Sequence, residues 1–286
     1  MGASGEAPVA ARILKEESGM TTCVLPGEAA ATTSTHALHG RAGSFFRALS
    51  TEALTDLGSH AFSVSYKAGA RLYAEDDIPV RVFVLLQGQV KLSIKASNGR
   101  GMILRIAKLG ELLGVSAAIS GSQYEETAQA ITACTAVSLR REEFERFLAM
   151  HPSACQAVMR EIGFQYEQAC ARLRLTGIAL SASAKLARLL LQWSSTVQHT
   201  EYGVRIHVAL THGEIGECIG SCRESVTRIF SDLQRRRIAE FRGSILTIMD
   251  RGALETYAGS SWPSDIARCE PNPVVPRARM RCSVNA

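Results

Sequence analysis

The stretch from Leu210 to Leu233 reads LTHGEIGECIGSCRESVTRIFSDL and carries the signals of two short helices separated by a turn. Thr211 and Glu214 have the spacing of a capping box, in which a hydroxyl and a carboxylate satisfy backbone N–H groups at a helix start. Gly220 follows the apolar residues of this first helix, where glycine commonly ends a helix in the left-handed conformation. The spacing therefore predicts a helix that begins at Thr211 and ends at Gly220.

The second helix of the stretch, predicted to begin at Cys222 or Arg223, has an apolar side and a polar side. Four apolar residues recur every three or four positions, as in a helix face that packs on a core: Val226, Ile229, Phe230 and Leu233. The opposite side carries Arg223, Glu224, Thr227 and Arg228. Two short helices joined at a glycine, the second with long charged side chains on one side, are typical of a helix-turn-helix.

A hairpin is predicted directly after these helices, with strands over Ile238–Phe241 and Ser244–Ile248 joined at Arg242-Gly243. A hairpin in this place makes the unit a winged helix-turn-helix. Pairs of helices around a glycine are also common in proteins that do not bind DNA. The capping box, the turn glycine and the hairpin occur together at the expected offsets, which favours the DNA-binding interpretation.

The polar side of the second helix has the chemistry of base recognition. Arginine matches O6 and N7 of guanine and glutamate accepts from N4 of cytosine, and each good pair supplies about 1–3 kcal/mol of discrimination. Arg223, Glu224 and Arg228 are therefore the candidate DNA base-reading residues. Candidate contacts to the DNA backbone, which position the protein without specifying sequence, are Thr211, Ser221, Cys222, Ser225 and Thr227. The cluster Arg235-Arg236-Arg237 reads equally as phosphate contacts or as a solvated basic group.

Upstream of this stretch, the apolar pattern changes from that of strands to that of helices. Residues 60–140 contain short alternating apolar runs with glycines between or beside them, which predicts an all-β sandwich or a barrel-like roll. A short helix is expected over Arg141–Met150, stopped by His151-Pro152. Another helix, from about Ser183 to Ser195, begins the second domain. The predicted fold class is therefore α+β.

One long helix is predicted from about Ser153 to Leu175. Its main apolar stripe, with a spacing of three or four residues, comprises Val158, Ile162, Tyr166, Ala169 and Leu173. Other faces carry Met159, Phe164, Cys170 and Ala171. A helix that is apolar on more than one side usually packs against two surfaces, here its own β domain and a second copy of the chain. Burial within one chain is the alternative, and the sequence does not separate the two.

The composition excludes several classes of protein. The chain has 286 residues, of which 46% are apolar and 21% charged, and its formal net charge is +5, so it is neither disordered throughout nor collagen-like. Residues 1–43 and 259–286 show no sustained apolar period and are expected to be flexible extensions. No stretch has the roughly 18 apolar residues of a membrane-spanning helix, and no secretory signal is found. We therefore expect a cytoplasmic protein with no membrane partner.

The motifs of common enzyme classes are absent from the sequence. There is no phosphate-binding loop, no HExxH, no GxSxG and no clustered acid–base pair, which argues against an enzyme. The eight cysteines include no Cys-x-x-Cys pair and are expected to be reduced thiols. Oxidation at Cys218 or Cys222, which flank the turn, would disturb DNA binding. An inward thiol and a helix-cap thiol are the simpler interpretation of these two residues.

With these residues the sequence resembles the Crp/Fnr family of bacterial transcription regulators over about residues 45–257. The signature runs from Glu214-Ile215-Gly216 through Gly220 to Arg223-Glu224-Ser225-Val226 and Arg228-Ile229. The resemblance implies an N-terminal β-roll of the cyclic-nucleotide-binding jelly-roll type, a long dimerisation helix and a C-terminal winged helix-turn-helix DNA-binding domain. The implied boundaries are 44–150 for the β-roll, 151–180 for the helix and 181–258 for the DNA-binding domain, between extensions at 1–43 and 259–286.

The resemblance also implies partners. Family members are dimers whose recognition helices enter successive major grooves of a palindrome. Carried over to Arg223, Glu224 and Arg228, the family's arginine, glutamate and arginine imply half-sites like TGTGA about one helical turn apart. Double-stranded DNA, a second copy of the chain (a homodimer) and, for an activator, RNA polymerase are the expected partners. The alternative is a ligand-binding regulatory module that acts through protein partners, although such a module has no reason to present these three side chains.

The effector site departs from the family pattern. Gly110-Glu111-Leu112-Leu113-Gly114 resembles the run that opens the family's phosphate-binding cassette, and the candidate effector pocket comprises Gly110, Glu111, Gly114, Val115, Ser116, Glu125 and Glu126. Cyclic-nucleotide binders place a ribose-binding glutamate and an Arg-Ser pair where this chain has Val115, and Glu125 with Glu126. A carboxylate repels a cyclic phosphate. We therefore expect no tight binding of cyclic AMP, and a β-roll that senses an unknown small-molecule effector or is vestigial.

Other sensing cofactors find no support in the residues. Iron–sulfur relatives use a cluster of N-terminal cysteines, whereas this N-terminus has only Cys23. The seven histidines are scattered without ligand spacing, so haem is unsupported and no metal site is predicted.

Overall fold

The structure of this protein is a computed structural model that describes residues 44–97, 99–107, 109–177, 181–195 and 203–259. The chain divides into two compact units. The first comprises the described residues up to Leu92 together with Leu109–Glu161, and the second comprises Ser93–Lys108 with the described residues from Ile162 onward. The extensions expected at residues 1–43 and 259–286 lie outside the described residues, apart from Gly259.

The strands between residues 60 and 140 form two four-stranded sheets. In chain order they are β1 Phe62–Tyr66, β2 Arg71–Tyr73, β3 Arg81–Gln87, β4 Val90–Lys95, β5 Gly101–Ile106, β6 Leu112–Leu113, β7 Thr127–Ala130 and β8 Cys134–Arg140. One sheet has the order β1-β8-β3-β6, with antiparallel neighbours, and the other has the order β2-β7-β4-β5. This sheet-rich N-terminal region confirms the predicted jelly-roll type of fold.

Several aromatic rings pack against one another in the core of the first unit. The ring centroids of Tyr66 and Tyr73 lie 6.4 and 6.0 Å from that of Phe83, and Tyr73 stacks on Tyr124 at 4.1 Å. Burial raises the pKa of Tyr66 to about 12, so this hydroxyl stays protonated in the core. The five residues from Val82 to Leu86 are all buried, because β3 is covered on both faces.

Short helices accompany the sheets and lead into one long helix. They are α1 Ser44–Arg47, α2 Thr51–His60, α3 Val115–Ser120, α4 Arg141–Met150 and the long α5 Pro152–Gly177. The predicted stop at His151-Pro152 is confirmed, since α4 ends at Met150 and proline occupies the first position of α5, where its missing N–H costs nothing.

Four helices and a small sheet follow α5 among the described residues of the second unit. They are α6 Ala182–Ser194, β9 Val204–His207, α7 His212–Ile219, α8 Arg223–Arg235, β10 Ala239–Arg242, β11 Ile245–Ile248 and α9 Arg251–Tyr257. The sheet has the order β10-β11-β9, and the sequence patterns did not predict β9. The core of this unit contains fully buried side chains from several of these elements, among them Leu186, Leu190, Ile215, Val226, Leu233, Leu246 and Leu254.

The predicted wing is present, but its turn lies one residue further along than predicted. Arg242 pairs with Ile245, so the turn residues are Gly243 and Ser244 instead of Arg242 and Gly243. Gly243 has a φ of +60°, and glycine reaches this left-handed conformation without the steric cost of a side chain. Within the part of the chain that the structure describes, no helix has both the length and the apolar character needed to cross a membrane.

Candidate nucleic-acid interface

The first helix of the pair, α7, begins at the predicted capping box. The Thr211 hydroxyl accepts from the backbone N–H of Glu214 at 3.2 Å, and the Glu214 carboxylate accepts from the backbone N–H of Thr211 at 2.9 Å. The Thr211 hydroxyl also donates to this carboxylate at 2.9 Å. These bonds fix the start of α7 at His212 and therefore the direction in which the chain enters the turn.

The turn between α7 and α8 depends on two glycines for two different reasons. Gly220 ends α7 with a φ of +65°, as predicted. A Cβ atom on Gly216 would lie 2.6 Å from the carbonyl oxygen of Ser221, because that segment packs directly on α7. The backbone N–H of Ser221 donates to the carbonyl of Gly216 at 2.9 Å, which holds the two helices at this close approach.

We expect the variant Gly216→Ala to be less stable than the wild type by about 1–3 kcal/mol, because the added methyl group must push the backbone of the turn away. Thermal unfolding followed by circular dichroism measures this loss. Gly213→Ala on the same helix is the matched control, because its Cβ would meet only the Thr211 hydroxyl, at an ordinary 3.7 Å. An equal melting temperature for the two variants would contradict this account of the turn.

Helix α8 has the apolar side and the polar side that the sequence predicts. Val226, Ile229, Phe230 and Leu233 are buried, whereas Arg223, Glu224, Thr227 and Arg228 are exposed. The three candidate base-reading residues therefore project from the surface of one short helix, within its first turn and a half. A molecule that binds to this surface of the second unit can therefore contact all three side chains.

The carboxylate of Glu224 is held at the start of α8 in its ionised form. The backbone N–H of Glu224, followed by the thiol of Cys222 and the charge of Arg223, lowers the pKa of this exposed carboxyl. An ionised carboxylate only accepts hydrogen bonds. Glu224 is thus suited to a donor such as the exocyclic amine of cytosine and repels a phosphate.

The two cysteines beside the turn lie where the simpler interpretation placed them. Cys218 is buried in α7, and burial raises the pKa of its thiol, against the effect of Arg172. Cys222 is exposed at the N-cap of α8, with its sulfur 3.2 Å from the Ser225 hydroxyl oxygen. The first is a core thiol and the second a helix-cap thiol.

The five candidate backbone-contact residues differ in availability. Thr211, Cys222 and Thr227 are exposed, whereas Ser221 and Ser225 are half-buried. The hydroxyl of Thr227 donates to the carbonyl oxygen of Arg223 at 3.0 Å. A hydroxyl has one proton, so Thr211 and Thr227 would have to turn theirs away from protein acceptors in order to bond a phosphate.

Local partners engage part of the basic cluster after α8. Asp232 accepts from the hydroxyl of Tyr257 at 2.8 Å and pairs with Arg236 at 3.0 Å and with Arg235. The Tyr257 hydroxyl and the two guanidinium groups lower the pKa of Asp232, which stays ionised. Two of the three arginines are therefore already paired with a carboxylate, and this weakens their assignment as phosphate contacts.

His212 is a residue of this surface that the sequence analysis missed. Its ring stacks on Phe230 of α8, with centroids 5.2 Å apart, and its Nδ1 lies 3.0 Å from the Thr227 hydroxyl oxygen. The ring also lies 5.5 Å from that of Phe241 in β10. No spacing rule links His212 to residues 15 and more positions away, so only the fold brings them together.

The candidate effector residues do not share one environment in the first unit. Glu111 and Val115 are buried, Glu126 is half-buried and accepts from the Tyr73 hydroxyl at 3.4 Å, and Ser116 and Glu125 are exposed. Gly110 and Gly114 have φ values of +77° and +71°. The cassette-like run therefore has the backbone of a tight loop, and the candidate side chains range from buried to exposed.

Tyr124, which no sequence motif indicated, lies against the cassette-like run. A Cβ atom on Gly114 would lie 2.6 Å from Cε1 of the Tyr124 ring. The Tyr124 hydroxyl donates to the carbonyl oxygen of Arg81 at 2.6 Å and accepts from its N–H at 3.3 Å. This ring is buried, bonded on both sides of its hydroxyl, and occupies the space next to Gly114.

Comparisons with known families agree with both units. Residues 63–151 match the cyclic nucleotide-binding domain, and residues 184–257 match the Crp-like helix-turn-helix domain. The first range covers the described strands from Ser63 in β1 to the end of β8, and the second covers helices α7 and α8. The order of the two domains along the chain is the order that the sequence resemblance implied.

Individual relatives are distant but extend over most of their lengths. A CRP-like cAMP-activated global transcriptional regulator of Mycobacterium tuberculosis is 25% identical over 225 residues, which are 76% of this chain and 97% of that protein. The transcriptional activatory protein AadR of Rhodopseudomonas palustris is 29% identical over 203 residues, 69% of this chain and 81% of that protein. The structure of TTHB099, a CRP family transcriptional regulator from Thermus thermophilus, superimposes with a TM-score of 0.58 at 26% identity, over 68% of this chain and 96% of that one. The chain belongs to the Crp/Fnr family of DNA-binding transcription regulators.

Proposed function

We propose that this protein is a homodimer that reads a palindrome of TGTGA-like half-sites, about one helical turn apart, through Arg223, Glu224 and Arg228. The observation that carries the proposal is the exposure of all three side chains on one side of α8. The two arginines supply planar forks for guanine, and the ionised Glu224 supplies an acceptor for cytosine. We place Thr211, Ser221, Cys222, Ser225 and Thr227 at the DNA backbone around them.

The long helix α5 supports the homodimer. Three large apolar side chains on it are strongly exposed within one chain: Met159 (60%), Tyr166 (71%) and Leu173 (69%). These three residues recur every seven positions, as position a of a heptad does. Ile162 and Ala169 lie three residues after Met159 and Tyr166, at position d. This is the pattern of a two-stranded coiled-coil seam. Val158, which the sequence analysis grouped with this stripe, is instead buried.

The dimer gives the palindrome its geometry. A parallel pair of α5 helices is related by a twofold axis, so each recognition helix meets an identical half-site.

We propose the following domain division: residues 44–150 form the β-roll, 151–180 the dimerisation helix and 181–258 the DNA-binding domain. Because its DNA partner lies in the cytoplasm, we propose that the protein acts there, and that an activating form contacts RNA polymerase.

We further propose that the β-roll does not bind cyclic AMP tightly, unlike the relative from Mycobacterium tuberculosis whose name describes it as cAMP-activated. Glu125 and Glu126 follow Tyr124, and a carboxylate about 4 Å from a phosphate opposes binding by about 4 kcal/mol at an effective dielectric of 20. The β-roll then senses another small molecule or is vestigial.

Calorimetric titration of the protein with cyclic AMP should give no saturable heat at micromolar concentrations. The mycobacterial relative, titrated in the same buffer, is the positive control. Saturable micromolar binding by this protein would show that the carboxylates do not exclude the nucleotide.

The DNA-binding proposal is tested by fluorescence anisotropy with the wild-type protein. The palindrome should bind at least about 1,000-fold more tightly than a scrambled duplex of the same composition. Raising the salt from 50 to 200 mM should weaken binding by about 1,000-fold or more, because condensed counterions are released on binding. Selection of bound DNA from a random pool then gives the preferred site without assuming it. Equal affinity for both duplexes would remove the proposal and favour a regulatory module that acts through protein partners.

A further inference from the structure

One side chain, that of His212, connects the three elements that carry the DNA-binding surface. It occupies the first position of α7, stacks on Phe230 of α8 at 5.2 Å and lies 5.5 Å from Phe241 of β10 in the wing. Phe230 and Phe241 also stack on each other at 5.2 Å. The three rings form one cluster, which we call the His212 cluster, and it joins the first helix, the recognition helix and the wing.

The hydrogen bond between His212 and α8 has a defined direction. The Thr227 hydroxyl donates its proton to the carbonyl oxygen of Arg223 at 3.0 Å and therefore has only lone pairs left for His212. His212 Nδ1, which lies 3.0 Å from that oxygen, must then be the donor. Burial and the charge of Arg223 lower the pKa of His212, which favours the neutral ring. The bond to Thr227 then requires the single proton of that ring to lie on Nδ1.

This bond meets α8 at the level of the residues that are proposed to read bases. Thr227 lies four residues after Arg223 and one residue before Arg228. A side chain extends about 6 Å from the helix axis, so a rotation of α8 by about 10° moves a guanidinium by about 1 Å. Base recognition relies on hydrogen bonds whose lengths vary by only about 0.5 Å. A contact that fixes the rotation of α8 therefore sets the positions of the guanidinium groups of Arg223 and Arg228 together.

We propose that His212 is a positioning residue for base reading: its Nδ1–H bond to Thr227 sets the rotation of the recognition helix relative to α7. The inference rests on the proposed DNA-binding function and assigns no direct base contact to His212. It predicts that the bond contributes to the preference for the correct sequence and not to binding of DNA in general.

Two substitutions separate the hydrogen bond from the ring. His212→Phe keeps a ring for the stack on Phe230 but removes the donor. His212→Asn keeps a donor, because its Nδ2 can occupy the place of Nδ1, but removes the ring. Thr227→Val removes the acceptor. Affinities for the selected palindrome and for a scrambled duplex are measured by anisotropy at one salt concentration, together with the melting temperature of each variant.

His212→Phe should weaken binding to the palindrome by about tenfold, the effect of one lost hydrogen bond, and leave the scrambled duplex within about twofold. His212→Asn should restore most of the preference while lowering the melting temperature. The double variant His212→Phe, Thr227→Val should be no weaker than Thr227→Val alone, because both substitutions break the same bond.

Three results would overturn the inference. One is an unchanged ratio of the two affinities in His212→Phe. Another is a parallel loss on both duplexes, which would make His212 a contact to phosphate or a purely structural residue. The third is additive losses in the double variant. A wild-type protein that does not distinguish the two duplexes would instead refute the proposed function, and this inference with it.

Discussion

The double variant Arg223→Ala, Glu224→Ala should lose most of its preference for the palindrome while it still binds DNA of any sequence. Each half-site loses two base contacts, and each contact is worth about 1–3 kcal/mol, so affinity for the palindrome should fall by at least about 1,000-fold over the two half-sites. The substitution removes one positive and one negative charge, so the net charge is unchanged. Affinity for a scrambled duplex, which depends on charge, should therefore change little.

A matched control removes another pair of opposite charges, one half-buried and the other exposed. Arg141 and Glu145 form such a pair on α4, with Nε and Oε1 2.8 Å apart, and lie in the first unit. The variant Arg141→Ala, Glu145→Ala should bind both duplexes as the wild type does, because a partly exposed ion pair contributes little to stability. Anisotropy measures all four affinities. Unchanged binding of the palindrome by the Arg223, Glu224 variant would remove these two residues from the base-reading set.

The variant Tyr166→Glu should dissociate the dimer. Tyr166 is 71% exposed within one chain, at the centre of the proposed heptad seam. In a twofold pair, equivalent residues of such a seam face each other, so two carboxylates would meet on the axis. Burying unpaired like charges costs several kcal/mol per ion, so we expect the dimer to be at least about 100-fold weaker. Sedimentation velocity measures the dissociation of the dimer. The affinity for the palindrome should fall as well, because a monomer binds only one half-site.

Ser153→Glu provides the control for this variant. Ser153 is exposed near the start of α5 and lies outside the heptad seam. The substitution therefore adds the same charge to the same helix without placing it in the proposed interface. The control should sediment as the wild type does and bind the palindrome equally. A wild-type protein that is monomeric at micromolar concentration, or a Tyr166→Glu variant that remains dimeric, would contradict the assignment of α5 as the dimer interface.

The helix-turn-helix was predictable because its signals are local in sequence. The capping box joins Thr211 and Glu214, which are three residues apart. The left-handed conformation at Gly220 depends only on the absence of a side chain at that residue. The apolar side of α8 follows from the helical repeat alone. Each of these features depends on neighbours within a few positions, and the structure confirms each of them.

Other parts of the site were not predictable, because they depend on residues that are distant in the chain. Tyr124 lies against Gly114 through packing in the β-roll, and no motif marks that contact. The wing turn lies one residue further along the chain than predicted. Its position is set by the pairing of β10 with β11 and not by the composition of the turn residues.

The amino-acid order alone determined which residues form the two helices, where they begin and end, and which charged side chains lie on the polar side of α8. The packing of distant elements decided how α8 is held: His212 reaches Thr227 and Phe230 only because α7 and the wing fold against it. The same packing decided that Met159, Tyr166 and Leu173 stay exposed while Val158 is buried. Backbone propensity acts over a few residues, whereas burial depends on every element that packs against a side chain, and this is why the two kinds of information differ.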